Sequence, residues 1–228
     1  MKMYGATDIG LVRSTNQDKF YIDKSLKWAV VADGMGGHNG GEMASSMAVE
    51  EIKKSMLQGV GLKESISNSN ALVYKTSVEN PELAGMGTTV VLCEIVGNRA
   101  NIAHVGDSRA YLYRDGVIKQ ITKYHSIVQQ LIDSGTITEE QAKYHPQRNL
   151  ITRAVGTEKN ISVDYETLEF KENDYILICS DGLSSYVEES EIVDIIANTK
   201  ASETVNKLID AANNSGGKDN VTVVLIKA

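Results

Sequence analysis

Runs of β-branched and apolar residues recur along the chain, and each closes on a turn signal. "WAVVAD", "TTVVLCEIV", "RANIAHVG", "RAYLYRDG", "DYILICSDG" and "NVTVVLIKA" have the length and composition of strands. Asp115-Gly116, between "AYLYR" and "VIKQIT", predicts a hairpin turn. Helical spacing appears between the strand groups. Ala44, Met47, Ala48, Glu51 and Ile52 follow it after Glu42. Val205, Leu208, Ile209 and Ala212 form one apolar stripe, with Ser202 as the predicted N-cap and Gly216-Gly217 as the stop. Ser190 is predicted to cap a helix carrying Ile192, Val193 and Ile196, and Thr138 with Gln141 has capping-box spacing. Strands arrive in runs with helices clustered between them. That order predicts an α+β fold with largely antiparallel sheets rather than a regular alternating α/β fold.

The stretch from Thr122 to Thr157 breaks the pattern. It is polar, poor in β-formers, and lies between two strand groups. It reads as an insertion with short helices on the edge of the core, an element of the kind that shapes an active-site rim. Within it, Ser126 is the expected N-cap of a helix carrying Ile127, Val128, Leu131 and Ile132. No repeat or linker composition divides the rest, so residues 1–228 are expected to form a single domain.

Composition narrows the function classes. The 228 residues are 42% hydrophobic and 23% charged, ordinary for a chain with a sizeable core. Lys and Arg number 23 against 30 Asp and Glu, a net charge of −7, with no basic run, and aromatics are 6%. Neither a phosphate-backbone binder nor an aromatic nucleic-acid platform is expected. No apolar run approaches a membrane span, and "MKMYGATDIGLVRSTNQDKFY" lacks the apolar core of a signal peptide. Cys93 and Cys179 sit in apolar strand-like runs, as buried free thiols would in a reducing, cytoplasmic setting.

The candidate chemistry lies at the strand ends. Asp33 ends "WAVVAD", Asp107 follows "NIAHVG", Asp181 ends "YILICSD" and Asp219 precedes "NVTVVLI". Any one of them alone reads as a turn former. Four carboxylates projecting from strand mouths into one cleft would repel one another unless a cation neutralised them. Oxygen-only ligands select hard cations such as Mg2+ or Mn2+, and the four histidines show no zinc spacing. The residues alone stop at a divalent-metal site and do not name a reaction.

The ordered motifs "ATDIGLVRSTNQD", "VVADGMGGHNGGEMAS", "GMGTTVV", "AHVGDSRAYLYRDG", "LICSDGL" and "GGKDNVTVVLI" resemble the signature of the protein phosphatase 2C family, the metal-dependent serine/threonine phosphatases, and most closely its compact bacterial branch. The resemblance runs from Tyr4 to Ile226. It implies a four-layer α-β-β-α sandwich of two antiparallel sheets flanked by helices, with residues of about 122–157 as a small mobile flap. Asp33 then matches the carboxylate that bridges two metals, and Gly34 the residue that offers its backbone carbonyl. Asp181 and Asp219 match ligands of one metal. Asp18 matches an acidic position that contacts the other, largely through water. Asp107 matches a ligand of a third, weaker site, and Arg13 the arginine that holds the substrate phosphate. The implied reaction is direct attack of a metal-bridging water on phosphoserine or phosphothreonine with Mn2+ or Mg2+. The implied partners are phosphorylated proteins, including a cognate bacterial Ser/Thr kinase. Nothing in the sequence suggests an oligomer, so a monomer is expected. A catalytically inactive binding module of the same fold, or a phosphatase of a small phosphate ester, is the alternative.

The glycines after Asp33 fit this reading. Gly34 leaves its carbonyl unobstructed, Gly36 and Gly37 are expected at positive φ, and Gly40 and Gly41 are expected to let the next helix pack closely. Departures from the family pattern are specific. Met35 stands where some eukaryotic members carry a histidine general acid, and it has no proton to give. Gln17 replaces a glutamate and should weaken the first metal site. Tyr124 stands where bacterial relatives have aspartate, at the start of the flap. His38 reads as a surface-loop residue, Asp8 and Asp174 as turn formers. Arg148 and Arg153 are either contacts for phosphopeptide acids or ordinary ion pairs.

Overall fold

The computed structural model describes residues 1–37, 39–148 and 150–228, with Lys143 described by its backbone only. His38 therefore lies outside the described residues. The chain opens with β1 (Lys2–Asp8), β2 (Asp18–Asp23) and β3 (Trp28–Met35), followed by α1 (Gly40–Leu57) and α2 (Leu62–Glu79). Next come β4 (Gly87–Thr88), β5 (Val90–Val96), β6 (Arg99–Val105), β7 (Arg109–Arg114) and β8 (Val117–Gln120). Two short helices, α3 (Ile127–Asp133) and α4 (Glu139–Lys143), precede β9 (Asp164–Glu169) and β10 (Tyr175–Cys179). Then α5 (Asp181–Ser184), α6 (Glu189–Asn198) and α7 (Ala201–Asn214) lead to β11 (Val221–Lys227).

Two sheets result, with strand orders β1-β11-β10-β7-β8 and β2-β3-β5-β6-β9, β4 adding to β3. Each strand pairs antiparallel with its neighbours. Side-chain alternation divides the apolar residues among three cores. Ala29, Val31, Val91, Ile102, Ala110, Ile176, Ile178 and Val224 meet between the sheets. Trp28, Val30 and Ala32 on the other face of β3 pack under Ala44, Ala48, Ile52 and Ile66 of α1 and α2. Leu177, Val223 and Leu225 pack under Ile192, Val205 and Leu208 of α6 and α7. This is the expected four-layer α-β-β-α sandwich. Cys93 and Cys179 are buried and free. Among the described residues no helix is long and apolar enough to cross a membrane.

The strand-like runs all form strands, and the Asp115-Gly116 turn has φ of +52° and +79°, as a type I′ hairpin requires. Thr138 and Gln141 form the reciprocal capping box, and Ser126 accepts the Gln129 N–H as the N-cap of α3. Two caps differ from expectation. α7 begins two residues earlier, capped at Lys200 rather than Ser202, and the Lys200 carbonyl accepts the Glu203 and Thr204 N–H groups. α6 begins after Glu188 and contains Ser190, because the Glu188 carbonyl already accepts from Glu191 and Ile192. The sequence pattern did not reveal β1, β2, β9 or α2. The buried face of α2 includes Ser65, Ser69, Asn70 and Ser77, which hides its helical stripe. Three of these bond carbonyls of the helix or its N-cap: Ser65 to Gly61, Ser69 to Ile66 and Ser77 to Tyr74.

Candidate active site at the mouth of the sandwich

Strand alternation also decides where the polar strand ends point. In β3, Ala29 and Val31 face the inter-sheet core, so Asp33 continues that face at its open end. In β2, Phe20 and Ile22 face the same core, so Asp18 does too, and the register sets Asp18 directly opposite Asp33. Ile176 and Ile178 put Ser180 on this face from the other sheet, and Val224 puts Thr222 there. One end of the sandwich therefore gathers polar residues from both sheets.

The backbone there is tightly held. The Asp33 N–H donates to Thr89 Oγ1 (3.0 Å), and its carbonyl accepts from the Thr89 N–H (2.8 Å) and Thr88 Oγ1 (2.9 Å). Gly34 and Gly41 bring strand and helix into backbone contact: a Cβ on Gly34 would overlap the Gly41 carbonyl oxygen. Gly41 thus fulfils its expected packing role. Gly36 has φ of +140°, but Gly37 is not at positive φ, and a Cβ there would meet nothing within 4 Å. Among the described residues of this turn, Gly36 alone has a left-handed φ.

The remaining candidates come from loops and from the first residue of α5. Ser180 Oγ donates to Asp18 Oδ2 (2.7 Å) and accepts the Thr222 N–H (2.9 Å), joining the two sheets just before Asp181. Asp219 Oδ1 accepts the Asn220 N–H (2.9 Å), and its Oδ2 accepts Arg13 Nη2 (2.7 Å). Asn220 holds the loop that carries Arg13. Its Nδ2 donates to the Ile9 and Thr15 carbonyls, both at 2.9 Å, and its Oδ1 accepts the Gln17 N–H at 2.8 Å. Asp107 follows Gly106 at the end of β6, and Ser108 beside it shares a 2.7 Å hydrogen bond with Thr89. Thr89, Ser180 and Asn220 were not foreseen. Each lies within a quoted motif, and each is a polar residue on a strand's inward face or mouth, where an apolar one would otherwise be expected.

The electrostatics identify a mutual cluster. Burial, and then the charges of Asp18, Asp181, Asp107 and Asp219, push Asp33 well above the carboxylate range. Asp181 is pushed up to about 7 by burial and then by Asp107, Asp219 and Asp18. Asp18 reaches about 6 through burial and Asp219, although the Ser180 hydrogen bond pulls it down. Asp107 is raised by burial against the opposing pull of Arg109. Two carboxylates about 4 Å apart repel by roughly 4 kcal/mol at an effective dielectric of about 20, so full ionisation of the set calls for cations. Arg13, paired with Asp219, supplies one charge at the rim. Asp18 Oδ1 is buried and has no hydrogen-bond partner in the protein. An orphaned buried oxygen within an all-oxygen donor set fits a hard divalent ion.

Other singled-out residues lie elsewhere or play other parts. The Gly10 N–H donates to Asp8 in a local turn. Asp174 is more than a turn former, since Arg114 grips both its oxygens at 2.8 and 2.6 Å. Arg153 pairs with Asp164 at 2.7 Å, and Arg148 is exposed. The Tyr124 ring centroid lies 4.3 Å from the Arg109 guanidinium carbon, and the Tyr124 hydroxyl donates to Gln120. His104, His125 and Asp164 bring ligand-type atoms within 4.8 Å of one another at the base of the 122–157 region. Arg153 already supplies that group's positive charge.

A family model described as protein phosphatase 2C matches residues 12–220. The serine/threonine phosphatase stp of Listeria welshimeri is 36% identical over 235 residues, covering 97% of this chain and 93% of that protein. The crystal structure of the Mycobacterium tuberculosis serine/threonine phosphatase PstP/Ppp has a TM-score of 0.92 at 36% identity, covering 100% of this chain and 99% of that one. The catalytic domain of PstP, solved in complex with 2 manganese ions, has a TM-score of 0.89 at 36% identity, covering 98% and 96% of the two chains.

Proposed function

The chain belongs to the protein phosphatase 2C family, and on that premise we propose that it hydrolyses phosphoserine and phosphothreonine in proteins at the carboxylate mouth of its sandwich. The observation that carries this reading is the convergence of Asp18, Asp33, Asp107, Asp181 and Asp219, with Arg13 at their rim. Asp33 and the Gly34 carbonyl, with Asp181 and Asp219, would hold two core ions, Mn2+ or Mg2+. Asp18 would act on one of them through water, and Asp107 would serve a third, weaker site. When bound, such ions acidify a water for in-line attack and screen the charge of the transferring phosphoryl group.

The chain's own residues orient the reaction. Thr88 and Thr89 fix the Asp33 backbone, so its carboxylate is presented without rearrangement. The Arg13 side chain is 56% exposed, free to exchange Asp219 for a substrate phosphate, which its planar fork suits. Met35 offers no proton to the leaving group. Cys93 and Cys179 are buried with raised pKa values, so neither is a nucleophile.

Phosphorylated proteins are the substrates in this reading. A cognate Ser/Thr kinase among them, a monomeric state and a cytoplasmic setting belong to the proposal; buried free thiols support the last. The test is hydrolysis of a phosphothreonine peptide with Mn2+, with Mg2+ and with EDTA, beside a phosphotyrosine peptide and a sugar phosphate. Metal-dependent turnover favouring phosphothreonine is expected. Preference for the sugar phosphate would give the small-ester reading. No turnover by folded protein would give the binding module.

A further inference from the structure

A single side chain ties the start of the 122–157 region to the loop that carries Asp107. His125 is buried, at 7% exposure. Its backbone N–H donates to the Gly106 carbonyl (3.0 Å), and its ring Nδ1 accepts the Gly106 N–H (2.9 Å). One residue therefore satisfies both polar groups of Gly106. Gly106 has φ of +106°, and a Cβ there would stand 2.6 Å from the Thr89 methyl group, so this loop lies directly on Thr89. Thr89 in turn bonds Asp33 through its N–H and its hydroxyl, and that hydroxyl also meets Ser108. A continuous path of contacts runs from His125 through Gly106 to Asp107, and through Thr89 to Asp33.

We propose that His125 is a positioning residue for the hydrolysis, setting the Gly106–Ser108 loop so that Asp107 and Asp33 keep the attitude the carboxylate centre needs. The proposal rests on the phosphatase reading above. The Gly106 N–H calls for a lone pair on Nδ1. Nδ1 accepts from Gly106, and Nε2 faces both Asp164 Oδ2 at 3.4 Å and Arg153 Nη1 at 3.0 Å; with Nδ1 accepting, the proton of a neutral ring lies on Nε2, toward Asp164. Asp164 is steadied by Arg153 at 2.7 Å, and His104 stacks on His125 with centroids 5.0 Å apart. Burial, with Arg153 and His104 alongside, pushes His125 down to about 4. The ring stays neutral near neutral pH, and Nδ1 keeps its lone pair.

The role predicts which replacement works. Asparagine places an oxygen acceptor close to where Nδ1 stands, whereas leucine fills similar space without one. After their melting temperatures are compared, His125→Asn and His125→Leu are assayed with wild type on a phosphothreonine peptide in saturating Mn2+, and Gly106 amide exchange is followed by NMR. His125→Asn should keep kcat within about threefold of wild type, and His125→Leu should lose about tenfold or more with KM nearly unchanged, as small misplacements of reacting groups do. The Gly106 amide should exchange faster in the leucine variant alone. If that variant does not fold, His125→Gln, which shifts the acceptor by one bond, takes its place with the same expectation. An active leucine or glutamine variant, or an asparagine variant as impaired as either, would overturn the positioning role. Absence of turnover in wild type would instead contradict the phosphatase reading itself.

Discussion

Asp18 and Asp33 stand opposite each other across two strands, in a cluster whose burial raises its carboxylates. In the folded chain Asp18 titrates at about 6 and Asp181 at about 7, above the roughly 3.9 of an unfolded aspartate. Between these values the folded state holds protons that the unfolded state has released. In EDTA, stability should therefore fall as pH rises from about 4 to about 7. Excess Mn2+ should abolish that decline. Urea unfolding across this range reads it, and a stability that rises with pH in EDTA would contradict it. Arg13→Ala should raise KM for a phosphopeptide more than it lowers kcat, because in the proposed reading the guanidinium would bind phosphate both before and during the reaction. Steady-state assays with an unchanged KM would remove Arg13 from the phosphate site.

Elements differ in how plainly the chain announces them. β3, β5, β10 and β11 are dense in β-branched residues because both their faces are buried, between the sheets and under helices. β9 is an edge strand, largely exposed, and "DYETLE" carries little apolar signal. α2 was illegible for another reason: its inner face does polar work. Asn70 Oδ1 accepts the Gly156 N–H (2.8 Å), and its Nδ2 donates to the Glu158 and Lys159 carbonyls (3.0 and 3.3 Å). This one side chain pins the segment that leaves the 122–157 region. Asn70→Ala should cost about 2 kcal/mol, since buried backbone groups lose their partners. A lower urea midpoint at unchanged slope would report it, and an unchanged midpoint would show that water replaces the amide.

For the whole molecule, the sandwich is an instrument for bringing distant strand ends together. Asp33, Asp107, Asp181 and Asp219 were legible because each stands at a strand mouth beside a small or polar residue. Their convergence was not legible from spacing. It depends on sheet order and on which side chains face inward, as when Arg13 meets Asp219 across 206 residues. The supports supplied by Thr89, Ser180 and Asn220 follow from that same closure, and a strand read in isolation gives no sign of them. The most direct test of the account is calorimetric titration of Mn2+ into wild type and Asp33→Asn, with phosphothreonine-peptide turnover measured on the same samples. The account predicts tight binding of two ions by wild type, and loss of both binding and turnover in the folded variant. Tight binding and turnover retained in Asp33→Asn would place the metal centre away from the mouth of the sandwich and contradict it.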